Sequence, residues 1–314
     1  MYAPIIVFVY NRADRVEKLI DSLALNPEAK ESELYIFSDG PKNEAGVSKV
    51  EAVREYIDSV KSKDLFKNVS ITKSEKNKGL ANSIIDGVSV VMKKHGKAII
   101  IEDDNIVAPD FLDYMNRGLN FYQNNPNIWA ISGFSREMTF PDDYNHDIFL
   151  MQRISSYTWA SWQDRWEKTE WNIEKYYPHF FWDKKDRKCF DSCGDDRSLM
   201  MDAQVCGKVN SWAIRFEYSM YKNNMYSVLP CVSRAYCTGN DGSGTHSDKI
   251  VHQFDALLAD GTKKVVFENI EPNENIRKEF IKPYTHSWKR KLIHNIDYIF
   301  MYFRLNNRKG QSNG

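Results

Sequence analysis

Four short apolar runs, each breaking into a polar turn and then into residues spaced three and four apart, constrain this chain more than any other feature. Ile5 to Tyr10 is broken by Asn11 and Arg12, after which Val16, Leu19, Ile20 and Leu23 keep helical spacing. Leu34 to Phe37 ends in Ser38-Asp39-Gly40-Pro41 and leads to Val50, Val53, Ile57 and Val60 at the same spacing. Val69 to Thr72 is the third run, and past the turn Lys76-Asn77-Lys78-Gly79 come Leu80, Ile84, Ile85, Val88 and Val91. Ala98 to Ile101 is the fourth, and it stops at Glu102, Asp103 and Asp104. Strands and helices alternating at this length predict an α/β fold with a parallel sheet covered on both faces. Ligands of open α/β sheets sit at the carboxyl ends of the strands. Those ends are Asn11-Arg12, Ser38-Asp39-Gly40, Asn77-Lys78-Gly79 and Glu102-Asp103-Asp104.

The last of these ends is the most pointed chemically. Three adjacent carboxylates raise one another's pKa unless a cation or hydrogen-bond donors sit between them. Such a triplet is either a solvated turn before the helix starting near Pro109 and Asp110, or a site for a hard ion. Its neighbours bear on the choice: Asp39 is a candidate reader of a base or ribose, Arg12 and Lys78 are cations, and the carboxylates suit Mg²⁺ or Mn²⁺, which take oxygen ligands and bridge to diphosphate. Singly, each has a plain explanation, Asp39-Gly40-Pro41 as a turn, Arg12 as a helix-face charge and Lys78 as a solvated lysine. Together they fit a nucleotide diphosphate with its metal. No glycine-rich dinucleotide fingerprint follows the first strand and no Walker lysine loop occurs, which argues against NAD enzymes and P-loop kinases.

The stretches PIIVFVYNRADRVEKLIDSL, YIFSDGPK, NKGLANSIIDGV and IIIEDDNIVAPDFLDYMN resemble the nucleotide-sugar-binding half of a GT-A glycosyltransferase. They are similar to bacterial family 2 sugar transferases and to the eukaryotic N-acetylglucosaminyltransferase I group, whose carboxylate motif has a like EDD-x-x-x-APDF form. The resemblance implies that Asp104 holds the metal, that Glu102 and Asp103 contact ribose or sugar, and that Asp39 contacts the base. Asn11, Arg12 and Lys78 complete the implied donor site.

The second half is rich in aromatics. Trp159, Trp162 and Trp166 fall three and four apart, so a helix would line them on one face. They are either core packing or a platform for a sugar ring. The same segment resembles a tryptophan-rich element beside the donor site of the bacterial transferases, which makes Trp159 a donor-binding candidate. Inverting glycosyl transfer needs a carboxylate to take the acceptor's proton. A G-x-D element ahead of Ser211 to Arg215 resembles that of the bacterial family and points to Asp196 as this base, with Asp195 and Asp202 behind it. Helix capping is the plain alternative for Asp195 and Asp196, which follow Gly194. In the N-acetylglucosaminyltransferase I group the base follows a tryptophan equivalent to Trp212, where this chain has Ala213 and Ile214. Farther on, His246 lies in a glycine-rich segment that resembles the late loop completing the metal site of GT-A enzymes, and imidazole suits Mn²⁺.

The 314 residues divide into a nucleotide-sugar-binding half, 1–135, an acceptor-binding and catalytic half, 136–285, and a tail, 286–314. Between His286 and Lys309 six Lys and Arg stand against one Asp, and Leu292, Ile296, Ile299, Phe300 and Phe303 form a stripe at helical spacing. Residues 286–305 therefore read as a basic amphipathic helix, lying on an anionic membrane surface or packed on the domain. Over the whole chain 43 Lys and Arg balance 43 Asp and Glu, which removes any general attraction to nucleic acid. The first residues lack the features of a signal peptide, and the five cysteines are odd in number without zinc-site spacing; both features predict a cytoplasmic protein with reduced thiols. The expectation is a metal-dependent inverting glycosyltransferase acting on a glycan or lipid-linked glycan in surface polysaccharide synthesis. Its rivals are a sugar-phosphate nucleotidyltransferase, which should carry a glycine-rich loop where Val9 to Ala13 has none, and a non-catalytic carbohydrate- or membrane-binding protein of the same fold.

Overall fold

The computed structural model of the protein describes residues 2–240 and 256–285, with 299, 301 and 303. The chain opens as expected, with strands β1 (Ile5–Val9), β2 (Glu33–Ser38), β3 (Asn68–Lys73) and β4 (Lys97–Glu102) joined through helices α1 (Ala13–Ala24), α2 (Val47–Val60) and α3 (Leu80–His95). Next come β5 (Asn105–Val107), α4 (Phe111–Phe121), β6 (Ile128–Ser132), β7 (Ile148–Met151) and β8 (Thr158–Trp162). Helices α5 (Gln163–Glu167), α6 (Tyr177–Trp182), α7 (Lys184–Phe190), α8 (Arg197–Val205) and α9 (Trp212–Lys222) precede β9 (Tyr226–Pro230), β10 (Ala235–Cys237) and α10 (Glu274–Phe280).

One sheet of eight strands runs in the order β3-β2-β1-β4-β8-β6-β9-β7, and β5 pairs with β10 in a separate two-stranded ribbon. The first four strands in that order are parallel, but β8 lies antiparallel between β4 and β6, and β7 closes the edge antiparallel to β9. The sheet is therefore mixed rather than wholly parallel. The irregular segment 152–157 feeds β8 without the helical crossover that joins parallel neighbours. Strands from both sides of residue 135 pair in this one sheet.

Strand periodicity assigns the side chains to two faces. Ile5, Val7, Val9, Ile99 and Ile101 pack against Leu19, Ile20 and Leu23 of α1 and Met115 of α4. Ile6, Phe8, Ala98 and Ile100 point the other way, against Ile84 and Val88 of α3 and Phe216 of α9. Each of these side chains larger than alanine, fully buried, contributes roughly 1.5–3 kcal/mol. The tryptophans depart from the expected helical stripe. Trp159 and Trp162 are in β8, where strand alternation sends them to opposite faces, and Trp166 is in α5.

A satellite core under α6 to α9 contains Tyr177, Phe180, Phe190, Met201 and, from the tail, Met301. Ile299 and Phe303, by contrast, are 54% and 61% exposed. The rest of the 286–314 segment lies outside the described residues, among which no helix is long and apolar enough to cross a membrane. None of the five cysteines is in a disulfide among the described residues.

Candidate active site

At the end of β4 the chain turns through Asp103 and Asp104 into β5, whose Asn105 is paired in register with Cys237 of β10. This pairing carries Thr238 onto the turn: its backbone N–H and its hydroxyl both donate to the carbonyl of Asp104, at 2.7 and 2.8 Å. Gly239 follows, and any Cβ there would overlap the Asp104 carboxylate. A side chain at 239 would therefore have to push that carboxylate aside. Arg15 donates to the Thr238 carbonyl at 2.7 Å, tying α1 to the same place.

Arg12, at the start of α1, reaches across the turn. Its Nη2 lies 2.7 Å from Asp103 Oδ1 and 3.1 Å from Asp104 Oδ2. The backbone N–H of Tyr10 donates to the other oxygen of Asp103 at 3.3 Å. Burial pushes the Asp103 carboxyl up to about 6, Arg12 pulling it down and Asp104 adding to the rise. Burial, then Asp104 and Asp103, raises Glu102 well above the usual carboxylate range. Burial works to lower Arg12, but the two aspartates outweigh it and hold the guanidinium above its ordinary value. Its Nη1 is buried and, among the described residues, has no hydrogen-bond partner. One guanidinium is shared by two aspartates with a third acid beside them, and such crowding of acid is relieved by a further cation.

Asp39 has a structural part that its sequence did not reveal. One of its oxygens accepts from the backbone N–H groups of Gly40 and Lys78, both at 2.9 Å, and the other from that of Gly79 at 3.0 Å. The carboxylate staples the end of β2 to the turn before α3, and Asn77 adds a bond to the Gly40 carbonyl at 2.8 Å. Lys78 points to solvent and pairs with Asp86 at 3.0 Å, while Asn11 is half-buried in the turn between β1 and α1.

On the other side of the molecule's second half, Asp196 precedes α8 and makes no side-chain cap bond. Its two oxygens are instead taken by Nη1 and Nη2 of Arg153, at 2.8 and 2.7 Å. That guanidinium also lies 3.7 Å from the ring centre of Tyr284. Gly194 closes the knot: its φ is +130°, and a Cβ would sit 2.5 Å from both Arg153 Nη1 and Asp196 Oδ1. Burial works to raise Asp196, but Arg153 prevails and holds its carboxyl below the usual range. Asp195 is half-buried beside it. Asp202 is 2% exposed and bonded to Arg187 and Tyr177, so it serves the packing of α6 to α8. Trp159 is fully buried and stacks on Trp212 at 4.9 Å and Trp166 at 5.7 Å. With no face open to a ligand, Trp159 is core rather than a donor platform.

Segment 152–157 connects the two sides. Ile154 N–H donates to Glu217, Ser155 N–H to Ser132 Oγ, and the Tyr157 carbonyl accepts from Glu102 N–H at 3.3 Å and Asn105 Nδ2 at 3.2 Å. From Arg153 to Tyr157 four residue steps span at most about 14 Å, which bounds the separation of the Arg153 and Tyr157 backbones. Among the described residues no three of His, Cys, Asp and Glu are placed to hold an ion. A cage made wholly of protein is thus absent there. The carboxylates fit the other mode of hard-ion binding, in which one or two carboxylates act with substrate phosphates. Asp103 is committed to Arg12 and Tyr10, whereas the Asp104 side chain keeps 16% of its surface open. His246 lies outside the described residues.

Residues 1–194 match the model of the GNT-I family. The chain belongs to the GNT-I family. The family match takes in the triplet and Arg153 but ends just before Asp195 and Asp196. No curated protein sequence matches the chain. Among solved structures, S. aureus TarS aligns with 12% identity and a TM-score of 0.43 over 77% of this chain and 37% of that one. The 1–349 fragment of TarS gives 13% identity and the same TM-score of 0.43, covering 77% of this chain and 61% of the fragment. The mannosyltransferase PcManGT of Pyrobaculum calidifontis, solved with GDP-Man and Mn²⁺, gives 12% identity and a TM-score of 0.41 over 71% of this chain and 69% of its own. The chain thus spans well under half of the TarS chain it aligns with. For this GNT-I family member, sequence patterns missed Arg153, Tyr157 and Tyr284, whose partners are remote in the chain. The glycines at 194 and 239 were the available signals, since each stands where backbones and side chains converge.

Proposed function

We propose that the chain transfers a sugar from a nucleotide diphosphate donor to a hydroxyl of a glycan or lipid-linked glycan, in surface polysaccharide synthesis, with inversion at the anomeric carbon. The observation that carries this reading is the junction of Arg12, Asp103, Asp104 and the Thr238–Gly239 backbone, a charged rim with excess carboxylate at the ends of buried strands. The nucleotide lies against Asp39 and the turn it staples, with Asn11 and Lys78 at the edge and Glu102 and Asp103 toward the sugars. Asp104, with His246, would hold Mn²⁺ or Mg²⁺, which when bound offsets charge on the departing diphosphate. Arg12 is the second cation for those phosphates.

The acceptor oxygen attacks the anomeric carbon as the bond to diphosphate breaks, and its proton passes to Asp196, with Asp195 adjoining. An ionised carboxylate offers about four lone-pair sites. Arg153 uses two of them on Asp196 and leaves the others to accept; the same pairing lowers the carboxyl's pKa and so weakens it as a base. The test is thermal unfolding with UDP-, GDP- and dTDP-sugars, each with and without Mn²⁺. A rise in Tm with one donor, dependent on Mn²⁺, supports the reading, and no shift with any of them sinks it. Residues 286–305 would hold the enzyme at an anionic membrane, beside a lipid-linked acceptor; equal sedimentation of the full chain and one ending at His286 with anionic vesicles would remove that element.

A further inference from the structure

Tyr157 is fixed by its backbone and left open by its side chain. Its carbonyl is held by the end of β4 and by Asn105, and its ring meets Phe134 edge-on at 4.8 Å and 76°. The residue is only half-buried, and among the described residues its hydroxyl makes no hydrogen bond. Tyrosine hydroxyls in such settings ordinarily find a partner. Burial, with Cys237, Tyr284, Asp104 and Glu102 nearby, holds this hydroxyl far above its ordinary value, so it keeps its proton. It is a donor lacking an acceptor.

The position of that donor matters. At one end of the segment Arg153 to Tyr157 the carbonyl of Tyr157 touches the metal-side turn. At the other, Arg153 grips Asp196 and lies over Tyr284, whose Cβ is 3.0 Å from where a Gly194 Cβ would be. In an inverting displacement the attacking oxygen and the leaving diphosphate stand on opposite sides of the anomeric carbon. The transferred sugar therefore occupies the space between the acceptor-side carboxylate and the diphosphate site.

We propose that Tyr157 is a sugar-binding residue, its hydroxyl donating to an oxygen of the transferred sugar and its ring lining, with Tyr284, the space between Asp104 and Asp196. This rests on the reading of the chain as a nucleotide-sugar transferase. It predicts a contact to the sugar and none to the nucleotide.

The discriminating experiment compares two ligands on three proteins. The nucleotide sugar that stabilises the wild type and its free nucleoside diphosphate are titrated calorimetrically, both with Mn²⁺, into wild type, Tyr157→Phe and Tyr157→Ala. Loss of one hydrogen bond should weaken the nucleotide sugar about tenfold in Tyr157→Phe, and more in Tyr157→Ala, with the diphosphate unchanged within about twofold. Tyr157→Phe keeps the ring and both backbone bonds, so it guards against misfolding. Unchanged affinity for both ligands, or equal losses for both, overturns the assignment. A wild type that binds the diphosphate and none of the sugars overturns it as well, whereas a wild type that binds neither brings down the transferase reading on which it stands.

Discussion

The chain contains two arginine–aspartate pairs in its candidate site, built from the same groups and opposite in electrostatic outcome. Arg12 meets Asp103 with Asp104 and Glu102 close by, and burial and the neighbouring acid leave the Asp103 carboxyl near 6 in spite of the guanidinium. Arg153 meets Asp196 through two short bonds, lies over Tyr284 and donates to the Cys193 carbonyl, and Asp196 is held below the usual range. Both pairs are largely buried. What differs is the ratio of acid to base and the completeness of the hydrogen bonding. The first pair has surplus carboxylate and an unpartnered guanidinium nitrogen. Under the proposed function this pair receives cation and phosphate. The second is close to balanced, which suits holding a carboxylate in one place and ionised at rest.

Removing one member from each pair's surroundings should break the two regions in different ways. The largest effect is expected from Asp104→Ala, which takes away the metal-side carboxylate while leaving Arg12 paired with Asp103. Turnover should fall by about a thousandfold or more, the scale of losing charge stabilisation at a leaving group, and Mn²⁺-dependent nucleotide binding should vanish with little change in Tm. Retained Mn²⁺-dependent binding would move the ion elsewhere. Arg153→Met should instead act on stability. It leaves a buried Asp196 charge unpaired, costing about 3–5 kcal/mol by denaturant unfolding. Adding Asp196→Leu should restore most of the loss, since the cost is that of the orphaned charge; no restoration would mean that Arg153 acts through Tyr284 and Cys193 rather than through Asp196.

The two regions also differ in how much the sequence disclosed. At the triplet end each strand carried its polar residues on its own end, so local pattern named Arg12, Asp39 and the triplet, and the βα repeats predicted that the first four strands run parallel, though not their order β3-β2-β1-β4. The antiparallel entry of β8 was hidden because Trp159, Trp162 and Trp166 fit helical spacing, while the alternation in TWASW is too short to overrule it. Asp196 was visible as an acid after a glycine, but its partner is 43 residues away and nothing local marks Arg153. The arrival of Thr238 on Asp104, across 134 residues, depends on the β5–β10 pairing and was invisible for the same reason. Helical capping, the plain expectation for Asp196, lost to a charge-assisted pair, which is the stronger bond.

The sharpest comparison of the two carboxylates is their pH dependence, because the signs are opposite. Asp103 rises from an ordinary 3.8 to about 6 on folding, so the folded chain binds its proton more tightly than the unfolded chain. Its contribution is best below 3.8 and is lost as pH climbs through 6, a loss of at most about 3 kcal/mol. Asp103→Asn should therefore raise the stability of the metal-free protein at pH 7 and make little difference at pH 4. Asp196 lies below 3.8 when folded, so its contribution is complete above that value and is lost only as pH falls through the lower folded value. Asp196→Asn should lower stability at pH 7, with the deficit shrinking only in strong acid. Denaturant unfolding of both variants at pH 4 and 7 decides the matter. If Asp103→Asn destabilises at pH 7 as Asp196→Asn does, the two pairs are scaffold alike and the negative surplus at the strand ends is already neutralised without a ligand.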